Sequence, residues 1–106
     1  MIDNSKEYIL CAAIWFDVEE TLVFQPKNME KGMVLTGLRH CHCFDIASRI
    51  LKDNYKNGKV QGFLTSKDRF VDRREASQIA QDAGQLKEAK QRMDGSYERL
   101  FSEDLY

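Results

Sequence analysis

The sequence predicts a small α+β domain of the broad α/β class, with three or four strands in one sheet and two or three packed helices. Three observations carry this. The apolar pattern changes period along the chain, from strand-like runs to helical spacing and back. The elements follow the order strand, loop, strand, helix, strand, helix, helix. The chain has 106 residues, enough for one core and hardly for two, so residues 1–106 are expected to form a single domain.

The first element is Tyr8 to Phe16. It is short, rich in aromatic and aliphatic residues, and apolar at both odd and even positions, which suits a central strand covered on both faces. Asp17 to Lys31 is polar and holds the only proline, Pro26. Pro26 biases Gln25 toward extended backbone, so this stretch is no regular helix. It reads as a connection, with a functional loop as the second reading. Met33 to Gly37 is the second strand, announced by Gly32. From Cys43 onward Phe44, Ala47, Ile50, Leu51 and Tyr55 recur at helical spacing, and Asn57-Gly58 ends that helix. Val60 to Leu64 is the third strand.

The clearest helix start follows. Asp72 and Glu75 have capping-box spacing, and Val71 stands where it can pack on Ala76 as a staple. Ala76, Ile79, Ala80 and Ala83 then line one face, and Gly84 closes the helix. Gln85 to Arg92 predicts a further helical piece with Leu86, Ala89 and Met93 facing inward. The tail, Tyr97 to Tyr106, alternates large apolar and acidic residues and is expected to dock. A sheet this narrow leaves two edges, and pairing them in a homodimer is a common solution.

Composition narrows the function. Apolar residues make up 42% and charged residues 31%, which excludes collagen-like and fully disordered chains. Lys plus Arg is 16 against 17 Asp plus Glu. That balance argues against a binder of long nucleic acid or of membrane surfaces, but leaves room for a local arginine cluster around a small anion. The longest apolar run, Tyr8 to Phe16, is about half a membrane span. The start carries two acids and one lysine and lacks a basic signal-peptide region, so the expected place is the cytoplasm. The three cysteines are an odd number, which suits free thiols in a reducing compartment.

Two constellations carry candidate chemistry. In Arg39-His40-Cys41-His42-Cys43 the metal-ligand residue types are crowded, but structural zinc sites pair ligands two to four residues apart, twice. No second cluster completes such a set, so no metal and no cofactor is expected. Cys–His pairs in enzymes are assembled in space rather than by adjacency. The chain also lacks a Gly-rich phosphate loop, a G-x-S-x-G elbow and an H-E-x-x-H pattern. No catalytic residue is therefore expected. An enzyme acting on a nucleotide through Cys41 or Cys43 with His40 or His42 is the alternative reading, and a protein-binding inhibitor is another.

The second constellation is Arg69-Phe70-Val71-Asp72-Arg73-Arg74-Glu75. Three arginines surround a helix start, whose free N–H groups and positive dipole attract phosphate. Arginine adds fork-shaped donors. Phe63 and Phe70 are placed to stack on a base. Arg39, at the end of the second strand, is a natural third contributor.

The ordered set Ile14-Trp15-Phe16, Gln25-Pro26-Lys27-Asn28, Gly37-Leu38-Arg39-His40, Gly62-Phe63-Leu64-Thr65, Arg69-Phe70-Val71-Asp72-Arg73 with Glu75-Ala76, and Ser102-Glu103-Asp104-Leu105-Tyr106 resembles phage and prophage proteins, the Thoeris anti-defence sponge proteins of the first type. The resemblance spans almost the whole chain, although this sequence is short between Phe63 and Arg69. It implies a non-catalytic protein that sequesters the cyclic ADP-ribose isomer made by TIR-domain proteins, in the cytoplasm of the infected bacterial host. It also implies a homodimer or larger homo-oligomer, with cyclic oligonucleotides as further ligands. Carried over position by position, it assigns Arg39, Phe63, Arg69, Phe70, Asp72 and Arg73 to the ligand pocket, with Asn28 as a further candidate.

Overall fold

Strand β1 (Ile9–Phe16) has apolar side chains at successive positions, and Ala12, Ala13, Ile14 and Phe16 are all fully buried. A strand that is apolar on both sides is stable only in the middle of a covered sheet. The computed structural model, which describes residues 6–19, 25–51, 59–86, 99–101 and 105, places it there. The other elements are β2 (Met33–Gly37), α1 (His40–Ile50), β3 (Lys59–Thr65), β4 (Phe70–Asp72) and α2 (Arg73–Asp82). The sheet order is β2-β1-β3-β4, and every neighbouring pair is antiparallel. The fold is a single-domain α+β sandwich of sheet and helices.

Register decides which residues share a face. Ala12 stands opposite Gly37 and Phe63, Ile14 opposite Leu35 and Gln61, and Phe16 opposite Met33 and Lys59. Both helices lie on this face. Cys43 and Ala47 of α1 pack with Ile14, Phe16, Met33, Leu35 and Leu51. Ala76 and Ala80 of α2 pack with Ile9, Ala12, Phe63, Val71 and Leu100. Small residues on both helices let their backbones come close to the sheet.

The opposite face is covered by the connection that precedes β2. Ala13, Val34 and Phe70 are buried there with Trp15, Met29 and Leu64 against them. Residues 25–31 run from one edge of the sheet toward the other. Gln25 Oε1 accepts the Val34 N–H on edge strand β2 at 3.1 Å, while its Nε2 donates to the Gly32 carbonyl at 2.9 Å. Trp15 Nε1 donates to the Lys31 carbonyl at 2.7 Å. Asn28 grips edge strand β4 in both directions: Nδ2 donates to the Phe70 carbonyl at 2.7 Å, and Oδ1 accepts the Phe70 N–H at 2.8 Å. Side-chain amides thus satisfy the Val34 N–H on one edge strand and the Phe70 N–H and carbonyl on the other.

The element starts show what the sequence encodes locally. Helix α1 begins at His40, three residues before the expected Cys43. His42 Nδ1 accepts the Arg39 N–H at 3.1 Å, which is half of a capping box. Arginine has no acceptor to supply the other half. Helix α2 starts as expected, with Asp72 Oδ1 accepting the N–H groups of Arg74 and Glu75 at 3.0 and 2.9 Å. Its end is a Schellman motif: Gly84, at φ +68°, donates to the Gln81 carbonyl and Gln85 to the Ala80 carbonyl. Strand β4 is an addition, formed where Val71 pairs with Phe63. Tyr55, Asn57-Gly58, most of the Gln85–Arg92 piece, Met93 and much of the tail lie outside the described residues. Among the described residues, no helix is long and apolar enough to cross a membrane.

Candidate anion-binding cleft

The start of α2 does not present the open N–H groups that the basic cluster suggested. Asp72 takes two of them, and its carboxylate adds a negative charge where a phosphate would approach. Cationic side chains surround this point instead. A cleft of about 620 Å³ is lined by Lys59, Gln61, Asp72, Arg73, Arg74 and Arg99. Lys59 and Gln61 are alternate residues of β3 and so share a face. Asp72, Arg73 and Arg74 come from the β4–α2 junction. Arg99 arrives on the C-terminal segment, whose neighbour Leu100 is buried in the core with Phe63 and Val71. Among the described residues, four cations therefore face one carboxylate.

Arg73 is tied to three neighbours. Its Nη1 donates to the Leu100 carbonyl and its Nη2 to Gln61 Oε1, both at 2.7 Å. The guanidinium lies over the Phe101 ring, 4.6 Å from the centroid. Lys59 Nζ sits 5.9 Å from the centroid of Phe44.

Of the residues assigned to a ligand pocket from the sequence, Asp72 and Arg73 line this cleft, and the others do not join them there. Phe63 is completely buried among Ile9, Ala12, Val71 and Ala76, with the His40 ring edge-on at 5.0 Å. Phe70 is buried beneath the 25–31 connection. Neither ring offers a face for a base to stack on. Asn28 is engaged with the Phe70 backbone. Arg39 occupies the N-cap position of α1, just after β2.

Arg69 is held by carboxylates. Its Nε and Nη2 donate to the two oxygens of Glu7 at 2.8 and 2.9 Å, and Nη2 also reaches Glu75 at 2.9 Å. Glu75 thus turns to Arg69 rather than back to the Asp72 N–H. Lys59, Gln61 and Arg99 were not singled out from the sequence. The alternation of Lys59 and Gln61 along a strand was the available signal for two of them. Arg99 had none beyond the expectation that the tail docks.

The Arg69 network has a pH signature. Hydrogen bonds from Arg69 hold the Glu7 carboxyl below its ordinary value of 4.5, aided by Thr65 Oγ1 donating at 2.6 Å and opposed by partial burial. The same carboxylate raises Arg69. A carboxyl lowered in the folded state stabilises the fold fully above its unfolded value. That contribution disappears as pH falls through the folded value. Thermal melting of the wild type should therefore decline below about pH 4.5 more steeply than that of Glu7→Gln. Parallel curves would remove Glu7 from the acid response.

The Arg39–Cys43 stretch is a helix start. His40 Nε2 is 2.7 Å from the Gly62 carbonyl, inside the core. Cys43 is buried, and burial pushes its thiol up to about 11. Burial also raises Cys11. Thiolate is the reactive form, so Cys43 is inert at neutral pH, whereas Cys41 is exposed. Iodoacetamide should label Cys41 in the native protein and Cys43 only after denaturant is added; mass spectrometry of the adducts checks this. Rapid native labelling of Cys43 would contradict it. Among the described residues, no group of three or more His, Cys, Asp or Glu side chains is placed to hold a metal ion.

No curated protein and no solved structure matches the chain. The family model of the Phage T4 y16D protein matches residues 8–106, from the residue before β1 to the last one, and the chain accordingly belongs to that family of phage proteins.

Proposed function

We propose that the chain is a phage anti-defence protein that binds a small phosphate-bearing cyclic nucleotide and holds it without turnover. The ligand class is the cyclic ADP-ribose isomers, with cyclic oligonucleotides as further ligands, and the site of action is the host cytoplasm. In this reading the host's TIR-derived signal is withdrawn before it reaches its effector. Assembly into a homodimer or larger homo-oligomer belongs to the same reading.

The observation that carries it is the cleft, where Lys59, Arg73, Arg74 and Arg99 gather on a chain of net charge -1. Its volume of about 620 Å³ is in the range of small-molecule sites, roughly 300–1,000 Å³. Charge-assisted hydrogen bonds contribute ~1.5–3 kcal/mol each. Several of them approach the ~12 kcal/mol of nanomolar binding, before the cost of ordering the ligand. Sequestration requires no nucleophile.

The test is to incubate the protein with a cyclic ADP-ribose isomer, remove free ligand, and heat-denature the complex. Intact ligand released on heating is the expected result. Chemically altered ligand would replace the sponge with the enzyme reading. Ligand that is never depleted would leave only a protein partner. Arg74→Ala should weaken depletion by ~10- to 100-fold while leaving the melting curve in place.

A further inference from the structure

Arg99 lines the cleft on a segment tied down beside it. The Leu100 N–H donates to the Arg73 carbonyl at 2.9 Å, and Arg73 Nη1 returns a bond to the Leu100 carbonyl at 2.7 Å. The second guanidinium nitrogen bonds Gln61 of β3, and Arg73 Cζ lies over the Phe101 ring. Leu100 is 1% exposed. One side chain thus connects the start of α2, strand β3 and residues 99–101, with one N–H of each terminal nitrogen committed to a protein oxygen.

We infer that Arg73 is a positioning residue and not an anion contact. It fixes residues 99–101 against the α2 start and so delivers Arg99 into the cleft, where Arg99, Arg74 and Lys59 meet the anion. This rests on the reading of the cleft as an anion site. The planar fork is what the role requires: it bridges two oxygens while its Cζ lies over the Phe101 ring. An ammonium group would keep the charge but could not do both.

The experiment is calorimetric titration with inorganic pyrophosphate of the wild type, Arg99→Ala, Arg73→Ala, the double variant, Arg73→Lys and Phe101→Ala, with a melting curve for each. Arg99→Ala should weaken binding ~10- to 100-fold. Arg73→Ala should match it, and the double variant should be no weaker than either single one, because residues acting through one another are not additive. Arg73→Lys should behave like Arg73→Ala. Phe101→Ala should lose affinity although it changes no charge.

Losses that multiply in the double variant, or full affinity in Arg73→Lys, would make Arg73 a direct contact and overturn the inference. A silent Arg99→Ala would also overturn it. If Arg73→Ala does not fold, Phe101→Ala and its double with Arg99→Ala decide by the same criterion. A wild type that binds no pyrophosphate would remove the anion cleft itself and the inference with it. That outcome differs from every other, in which the wild type binds.

Discussion

Phe63→Ala is expected to cost the fold ~3–5 kcal/mol, the usual range for emptying an aromatic site in a core. Phe63 is fully buried among Ile9, Ala12, Val71, Ala76, Ala80 and Leu100, and the His40 ring stands perpendicular to it. Little around it can collapse into the space, because Ala12, Ala76 and Ala80 have no length to extend. For a domain this small the melting temperature should fall by about 15–30 °C. Phe63→Leu keeps most of the volume and should lose about 1 kcal/mol. Any loss of ligand binding in Phe63→Ala should track the loss of fold. If Phe63→Ala melts like the wild type yet fails to bind, Phe63 is a stacking residue after all.

Gly62→Ala is the second large effect. A Cβ at this position would overlap the Val71 carbonyl oxygen and stand 3.0 Å from the Phe70 ring. The obstacle is mostly backbone, so it cannot rotate away, and β4 would have to part from β3. The expected cost is about 3 kcal/mol, at the upper end for overpacking. Strand β4 leads straight into Asp72 and Arg73, so the strain also reaches the cleft, and melting and pyrophosphate affinity should fall together. Gly84→Ala is the matched control. Gly84 has positive φ but open space around it, so only the left-handed backbone opposes a side chain there, at a cost of about 1 kcal/mol. Equal melting curves for the two variants would mean that β4 yields more easily than its register suggests.

What was legible in the sequence was what neighbouring residues decide. Asp72 caps α2 and Gly84 terminates it because capping chemistry acts within one turn. Strand β1 reads as central because its apolar run leaves no face for water. Strand β4 was not legible: these three residues carry no period, and only pairing with Gly62, Phe63 and Leu64 across the ladder makes them a strand. The Arg69 to Glu75 cluster looked basic in isolation, yet Glu7, 62 positions away, claims Arg69. Phe63 and Phe70 looked available for stacking, because aromatic residues beside a basic run give the same signal whether the rings point inward or outward. The cleft itself draws on β3, the β4–α2 junction and the C-terminal segment, so no single window of sequence contains it.

Asn28 carries a chemical consequence of its own. It covers edge strand β4 through one donated and one accepted hydrogen bond, both made by a single side-chain amide. Deamidation would keep the accepting oxygen but replace the donating nitrogen with a second oxygen, set against the Phe70 carbonyl. The edge would then change from self-satisfied to repelling its own cover, without any change in the size of the side chain. Protein aged in solution should therefore expose β4 first, with a one-dalton mass increase at residue 28 as the mark of molecules in which that has happened.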